Sequence, residues 1–283
     1  QSSLPYDFGS GIMSLPPSGL TYTFGPRLDD GEGFFGVVYA AMDDFGNDLA
    51  IKVLKPKGSY EEDRRAAIRE FENLRAFRHP TIIHVYDAFE RNGLFYIVME
   101  RCWRPLTTLF AAGYSSKVWM PGVARCALQA LDFIHRHGHV HQDLHLGNVF
   151  VHWSRNELMP SEVGSPTFKV GDLSITKLVA EMNPHSTLLA QWMLPPEAID
   201  PSEYGPMDHR VDIYHCALLL LQLLIERPLE LSVTDVLAGV PRQLALQQSE
   251  PYRSALERAL RRHAAARTAT ALEFVKELGV VVA

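Results

Sequence analysis

A short polar loop, residues 141–148 with the sequence HQDLHLGN, carries the side chains best suited to chemistry. Asp143 and Asn148 place an acid and an amide on this loop, directly before the apolar run Val149-Phe150-Val151, which predicts a strand. A carboxylate held in such a loop can orient and deprotonate an attacking hydroxyl, and an amide oxygen can bind a metal ion. The loop therefore predicts a site in which Asp143 is the base and Asn148 is a metal ligand.

A second acid follows the next apolar run. Asp172 stands in the segment KVGDLS, where it ends a predicted strand. Mg²⁺ is bound in proteins by one or two carboxylates together with phosphate oxygens. Asp172 is therefore the second predicted ligand of a magnesium ion.

Three glycines precede a predicted strand in the segment GEGFFGVV, at positions Gly31, Gly33 and Gly36. Glycines at this spacing let a strand turn fold closely over phosphates, with backbone N–H groups facing the oxygens. A dinucleotide-binding turn or an ordinary hairpin has the same spacing, but the dinucleotide turn requires a helix to begin at the third glycine. Here the run VVYAAM predicts a strand, and a second strand follows it. The context favours a phosphate-covering loop between two strands.

Lys52 stands inside an apolar strand, LAIKVL, and so needs either water or a partner, because burying an unpaired ammonium group is costly. One interpretation is an edge strand whose lysine points to solvent. The other is an ion pair with Glu70 on the helix that follows, which would hold Lys52 against the phosphates. Glu72 lies about 200° further round that helix and should face away. Glu70 is chosen because of its position before His79-Pro80.

The elements that must position these residues fall into three parts of the chain. Residues 1–19 are rich in Gly, Ser and Pro and predict a loose extension. Residues 20–102 predict a small lobe of antiparallel strands with one helix, and residues 103–283 a mainly helical lobe, so that the fold class is α+β. The predicted helices span residues 60–77, 118–137, 211–226, 254–265 and 269–278, the later strands of the first lobe span 81–89 and 94–100, and a polar hairpin loop spans 153–166.

The bulk composition restricts the partners. The chain has 283 residues, 47% apolar residues and a formal charge of −6, which gives no reason to expect nucleic acid or an anionic membrane as a partner. Three distant cysteines without a CxxC pair indicate buried thiols in a reducing compartment. The N-terminus shows no signal pattern and begins with Gln1. We therefore expect a cytoplasmic domain, or the cytosolic piece of a longer protein.

Taken in order, these segments resemble the eukaryotic-type protein kinase family over residues 20–280. The segment GEGFFGVV resembles its glycine-rich loop, LAIKVL its lysine strand, HQDLHLGN its catalytic loop and GDLS its metal-binding motif. Pro195-Pro196-Glu197 resembles the motif that closes the activation segment, and Arg267 stands where the family places the partner of that glutamate.

The resemblance implies a two-lobed kinase fold that binds ATP and Mg²⁺ between the lobes and transfers the γ-phosphate to a protein hydroxyl, with serine or threonine as the expected acceptor. It implies a catalytic role for four residues: Asp143, Lys52, Glu70 and His145. It also implies that the adenine contacts the gatekeeper Met99, the hinge residues Glu100 and Cys102, and the side chains Val38, Ala50 and Phe150. The protein substrate and the oligomeric state stay open.

Five positions depart from the family pattern, and two of them, Leu173 and Ser174, lie in the metal-binding motif, where they replace phenylalanine and glycine. Gln142 replaces the arginine that meets an activation-loop phosphate, so we expect activity without strict dependence on that phosphorylation. His145 replaces the lysine that steadies the γ-phosphate, and Ala190 replaces a threonine that touches the catalytic aspartate. Two alternatives therefore stay open: a pseudokinase acting as an ATP- or partner-binding switch, and a small-molecule kinase, whose loop HxDLHxGN is similar.

Overall fold

The computed structural model describes residues 12–14, 19–28, 36–56, 58–113, 115–154, 165–173, 176–179, 182 and 194–280. The chain divides into two compact units, residues 1–102 and residues 103–283. Within the described residues, no helix is both long enough and apolar enough to span a bilayer.

In its described residues, the first unit is a six-stranded antiparallel sheet with one helix. The strand order is β1-β2-β3-β4-β6-β5, so that β4 is an internal strand. The strands are β1 (Ile12–Ser14), β2 (Thr21–Arg27), β3 (Gly36–Asp43), β4 (Asp48–Leu54), β5 (Val85–Arg91) and β6 (Leu94–Glu100), and the helix is α1 (Tyr60–Ala76).

One face of this sheet packs into an aromatic and aliphatic core. Strand residues alternate between the two faces, and Val37, Tyr39, Ile51 and Val53 all belong to one buried cluster. Phe89 and Tyr96 stack in that cluster with ring centroids 4.7 Å apart. On β3 and β4, the residues that alternate with these core residues consequently lie on the opposite face of the sheet.

The helix α1 begins with a capping box. The carboxylate of Glu62 accepts a hydrogen bond of 2.8 Å from the backbone N–H of Ser59, which satisfies a donor that the helix leaves unpaired. Ile68 on this helix is apolar, yet it is 40% exposed. The reason is an open cavity of about 210 Å³ between α1 and the strands β5 and β6, which Ile68 and Phe71 line.

The described part of the second unit is mainly helical and contains two small sheets. The strands are β7 (Arg104–Pro105), β8 (His139–Val140), β9 (Val149–Ser154), β10 (Ser165–Val170) and β11 (Lys177–Leu178). One sheet has the order β10-β9-β7, and the other pairs β8 with β11. The helices are α2 (Leu106–Ala111), α3 (Met120–Arg136), α4 (Pro196–Ile199), α5 (Pro201–Tyr204), α6 (Arg210–Ile225), α7 (Val233–Ala238), α8 (Val240–Ala245), α9 (Tyr252–Ala259) and α10 (Ala271–Glu277).

The core of the second unit is built on α3 and α6. Residues Val211 to Leu224 of α6 are all buried, as expected of a helix that is apolar nearly all round. The helix α3 approaches the small sheet closely at Gly122, where an added Cβ would lie 2.8 Å from the ring of Phe168. Only glycine permits this approach without a shift of the ring.

The predicted α+β class is confirmed, with a strand-rich first unit and a mainly helical second unit, while several element boundaries differ from the prediction. The strand predicted over residues 81–89 begins at Val85, and the helix predicted over 254–265 is Tyr252–Ala259, followed by a 3-10 turn. The predicted loose extension contains the short strand β1, whose backbone pairs with β2 although its sequence shows no periodicity. The predicted polar loop is strand up to Ser154 and again from residue 165, because backbone pairing does not require apolar side chains. Residues 155–164 lie outside the described part.

None of the three cysteines forms a disulfide, but they differ in burial. Cys126 and Cys216 are buried, as predicted, whereas Cys102 is only half-buried. Burial raises the pKa of the Cys216 thiol, because an apolar environment disfavours the thiolate.

Candidate active site

Lys52 and Glu70 form a buried ion pair in the first unit. The ammonium nitrogen of Lys52 lies 2.8 Å from Oε1 of Glu70, and the two residues are 8% and 5% exposed. Since β4 is an internal strand, the alternative of an edge-strand lysine pointing to solvent is wrong. Glu72 is exposed, as the helical geometry predicted. The carboxylate of Glu70 therefore holds Lys52 at the sheet surface.

Four of the predicted nucleotide contacts share one face of this sheet. Lys52 pairs directly with Val38 across β3, and Ala50 pairs with Met99 across β6. Residues directly opposite each other in antiparallel strands project to the same side, and so do residues two apart on one strand. Val38, Ala50, Lys52 and Met99 consequently lie on the face opposite the aromatic core.

The end of the predicted glycine-rich loop requires its third glycine. An added Cβ at Gly36 would lie 2.5 Å from the backbone oxygen of Val53, because β3 and β4 approach closely there. Gly31 and Gly33 lie outside the described residues. The backbone at the end of β6 is also held, since the N–H of Glu100 donates to the carbonyl of His84 at 2.8 Å.

In the second unit, the predicted base and the predicted metal ligand are bonded to each other. Nδ2 of Asn148 donates to Oδ2 of Asp143 at 3.0 Å and to the backbone oxygen of Asp143 at 2.9 Å. An amide group has two donors on nitrogen and an acceptor on oxygen. These bonds direct the nitrogen of Asn148 toward Asp143 and leave the amide oxygen as its ligand atom.

His145 faces the same carboxylate. Nδ1 of His145 accepts a hydrogen bond of 3.0 Å from the backbone N–H of Gly147, so a neutral ring carries its proton on Nε2. Nε2 lies 3.6 Å from Oδ1 of Asp143. The ring rests on Gly147, where an added Cβ would lie 2.7 Å from its Cε1 atom. The chain thus fixes the tautomer and the orientation of His145.

Asp212 on α6 anchors the predicted catalytic loop, residues 141–148, a role that the sequence analysis did not assign. Its carboxylate accepts hydrogen bonds of 2.8 Å from the backbone N–H groups of His141 and Gln142 and lies 2.8 Å from Nε2 of His135. Burial by itself would raise the pKa of Asp212, but the His135 hydrogen bond, the neighbouring imidazoles and the Gln142 N–H outweigh it and lower the pKa below 3.8. The signal in the sequence was the carboxylate of Asp212 near the start of an apolar helix, because a buried carboxylate needs hydrogen-bond partners.

The two predicted metal ligands stand at the same end of the β9–β10 hairpin. Val149 pairs with Val170, and the N–H of Gly171 donates to the carbonyl of Asn148 at 2.9 Å. His141 lies between the two loops, with Nε2 at 3.3 Å from the carbonyl of Gly171. Asp172 follows directly, with a φ of 55°, in the left-handed region. Amide and carboxylate oxygens are the hard donors that Mg²⁺ prefers, so the residues present fit this ion.

Gln142 combines two unfavourable features. Its φ is 69°, in the left-handed region, and the residue is buried, with 1% of its surface exposed. Within the described part of the chain, neither atom of its amide group has a hydrogen-bond partner. A buried unpartnered amide costs free energy, so this position is not optimised for stability.

A buried ion pair joins Glu197 to Arg267. Two guanidinium nitrogens of Arg267 lie 2.6 Å from the two carboxylate oxygens, and both side chains are fully buried. The guanidinium group also donates to backbone oxygens, including that of Arg261 at 2.7 Å, and its carbon lies 4.6 Å from the ring centroid of Tyr214. The pairing that the resemblance implied is therefore present, in the bidentate geometry that arginine favours.

Comparison with known proteins identifies the class. The family description "Protein kinase domain" matches residues 28–279, so the chain belongs to the protein kinase domain family, whose members use ATP. This confirms the resemblance found in the sequence.

Individual relatives are more distant. The chain is 27% identical over 209 residues to the serine/threonine-protein kinase TAO2 of Rattus norvegicus and of Homo sapiens, an alignment that covers 72% of this chain and 16% of those proteins. It is 26% identical over 224 residues to the probable serine/threonine-protein kinase zyg-1 of Caenorhabditis briggsae, covering 78% of this chain and 29% of that protein. The chain thus matches only a minor part of the length of these relatives.

Proposed function

We propose that this domain transfers the γ-phosphate of ATP to a serine or threonine hydroxyl of a protein substrate. The observation that carries the proposal is the set of intact polar contacts in each unit: the Lys52–Glu70 ion pair, and the hydrogen bonds between Asp143 and Asn148. The printed names of the relatives, which are serine/threonine-protein kinases, support this acceptor.

The nucleotide is held by residues of the first unit. Val38, Ala50 and Met99 offer an apolar surface to the adenine, and Lys52 on the same face binds phosphate oxygens. An ammonium group held by Glu70 loses little conformational freedom when it binds, because its position is already determined. Lys52 therefore orients the phosphates as well as neutralising charge.

Asn148 and Asp172 would hold magnesium. When bound, the ion supplies charge neutralisation on the transferred phosphoryl group. The chain contributes the hard oxygen donors, and the hairpin register together with the Gly171–Asn148 hydrogen bond keeps the two ligands at one end of the hairpin.

Asp143 receives the proton of the attacking hydroxyl. Because the Asn148 amide bonds to Oδ2, the other oxygen of the carboxylate, Oδ1, is the one directed to the acceptor. Nε2–H of His145, 3.6 Å from Oδ1, is placed to donate to a γ-phosphate oxygen in place of the lysine that the resemblance implied. Positioning and charge neutralisation supply most of the rate enhancement in phosphoryl transfer, so these contacts are the essential contribution of the chain.

Two other functions remain as alternatives. A pseudokinase switch is favoured by the altered residues Gln142, His145 and Ala190, which depart from the family pattern. A small-molecule kinase is disfavoured by the Glu197–Arg267 ion pair, a feature of the protein-substrate shelf that the resemblance implies. We further propose that the domain acts in the cytoplasm, without contact to nucleic acid or membrane.

The test is transfer of labelled γ-phosphate from ATP to generic protein substrates and to the chain itself. Asp143→Asn and Lys52→Ala remove the base and the phosphate contact, and Glu72→Gln serves as the matched control because Glu72 is exposed on the same helix as Glu70. We expect transfer by the wild type and by the control, and loss in the other two variants. ATP binding with no transfer to any acceptor would support the switch, and transfer to small molecules alone would support the third function.

A further inference from the structure

A cavity in the second unit is lined by aromatic side chains that the proposed function does not use. Its volume is about 270 Å³, and it is bounded by the β9–β10 hairpin on one side and by α2 and the start of α3 on the other. The lining residues are Trp103, Leu109, Trp119, Val151, Trp153, Pro166 and Phe168. None of them belongs to the candidate active site.

Two of the tryptophans form an exposed aromatic corner. The ring centroids of Trp103 and Trp153 are 6.0 Å apart with an interplanar angle of 68°. Trp103 is 50% exposed and Trp153 is 36% exposed, and Val118, next to the third tryptophan, is 76% exposed. Exposed apolar side chains grouped in this way are typical of interaction sites, and tryptophan is enriched at such sites.

A cation lies on the same face of the small sheet. Val151, which lines the cavity, pairs with Phe168 on one side and with Arg104 on the other. Residues directly opposite each other in antiparallel strands project to the same face, so Arg104 borders the cavity. Arg104 is exposed, and within the described residues its guanidinium group has no hydrogen bond or ion pair. The described lining residues include no carboxylate.

These features discriminate between ligand classes. A quaternary ammonium group binds aromatic cages, but Arg104 would repel it. A small neutral molecule in the cavity would contact the tryptophans but would make no use of the charge of Arg104. A peptide with apolar anchors and a neighbouring carboxylate would use the aromatic corner and Arg104 together.

We propose that the cavity formed by Trp103, Trp119 and Trp153 is a docking site for an acidic peptide segment of a protein partner. An apolar side chain of the segment enters the cavity against the tryptophans, and a carboxylate next to it pairs with Arg104. The site lies outside the catalytic residues, so docking and phosphoryl transfer can be tested independently.

The first experiment is selection of binders from a random peptide library on the intact chain. We expect enrichment of sequences that combine leucine, isoleucine or phenylalanine with aspartate or glutamate. Binding of a selected peptide is then followed by intrinsic fluorescence, because three of the four tryptophans in the chain line the cavity. The emission should shift saturably with peptide concentration.

The variants test the two halves of the site separately. Trp153→Thr should weaken binding by roughly tenfold or more, since tryptophans dominate the affinity of such interfaces. Arg104→Glu should weaken it by about fivefold, and a peptide whose acids are replaced by lysine should bind this variant better than it binds the wild type. The controls are Phe45→Thr and Arg91→Glu, which alter an exposed aromatic and an exposed arginine of the first unit and should leave binding unchanged.

Several outcomes would overturn the proposal. These are enrichment of basic peptides, peptide binding that neither variant weakens, or concentration-dependent self-association that Trp153→Thr abolishes, which would make the cavity a contact between copies of the chain. Thermal melting shows whether Trp153→Thr is folded. If Trp153→Thr is unfolded, the Arg104→Glu variant decides. The proposal is then wrong if this variant does not bind the lysine-substituted peptide better than the wild type does.

Discussion

The carboxylate of Asp212 accepts a hydrogen bond of 2.8 Å from the backbone N–H of Gln142, the residue directly before Asp143. The same carboxylate holds the N–H of His141, so one buried acid on α6 determines the backbone path into the catalytic loop. The loop has a left-handed residue at Gln142, a conformation that persists only where surrounding contacts enforce it. Asp212 supplies two of those contacts.

Asp212→Asn should therefore reduce both stability and phosphate transfer. The asparagine side chain keeps one acceptor oxygen, but its NH₂ group, which only donates, would face a backbone N–H. We therefore expect a loss of about 2 kcal/mol in the free energy of unfolding. The measurement is urea denaturation, with Asp132→Asn as the control, because Asp132 forms an ion pair with Arg136 on the surface of α3. Equal stability of the two variants would contradict the anchoring role.

The same residue predicts a pH dependence. Because contacts in the folded state lower the pKa of Asp212 below 3.8, its ionised form stabilises the fold at every pH above that value. This contribution should be lost as the pH falls below 3.8 and through the folded-state pKa. The difference in unfolding free energy between the wild type and Asp212→Asn should be constant near neutral pH and shrink in acid. A difference that grew on acidification would have the wrong sign.

Gln142→Met should stabilise the domain. The substitution removes an amide group that has no partner within the described residues and keeps an unbranched side chain of similar size. We expect a gain of about 1 kcal/mol in the free energy of unfolding. Gln222→Met is the matched control, because the amide of the buried Gln222 bonds to the carbonyl of Leu218 and the N–H of Leu229, so that this variant should lose stability. Similar effects of the two substitutions would show that Gln142 has a hidden partner.

Gln142 also predicts how the domain is regulated. A neutral amide cannot make the charge-assisted bonds that arginine makes to a phosphate. Phosphate transfer should therefore survive treatment of the domain with a phosphatase, measured after the phosphatase is removed. Loss of transfer on treatment, with recovery on rephosphorylation, would refute this expectation.

Gly147→Ala should displace the imidazole of His145, because the new Cβ would lie 2.7 Å from Cε1 of the ring. We expect the turnover rate to fall about tenfold, since small misplacements of a catalytic group have large effects. The measurement compares Gly147→Ala alone with the same change made in a His145→Ala background. If the effect acts through the ring, the second comparison should show almost no further loss.

Removal of either partner of the Glu197–Arg267 pair should be strongly destabilising. Glu197→Gln or Arg267→Met leaves a buried charge without its partner, which costs about 3–5 kcal/mol. The double variant should lose less than the sum of the two single losses, because neither charge then remains buried. A double-mutant cycle by urea denaturation measures this coupling, and strict additivity would argue against it.

Much of the site could be predicted from local sequence. Lys52, Asp143, Asn148 and Asp172 stand out because each is a polar residue placed against an apolar strand or in a tight loop that follows or precedes one. The alternation of β3 and β4 likewise predicts which residues share a face, since the period of a strand does not depend on its partners. The catalytic roles of these residues stay predictions until transfer is measured.

The order of elements and the identity of the reactive groups follow from the amino-acid sequence alone, because both depend on local periodicity and residue type. Tertiary packing, by contrast, makes β4 an internal strand, so that Lys52 is buried and needs Glu70. It also decided that Asp212 reaches the catalytic loop from α6 and that three distant tryptophans line one cavity with Arg104 at its edge. These relationships join residues far apart in the chain, and no local pattern encodes a contact whose partner is elsewhere.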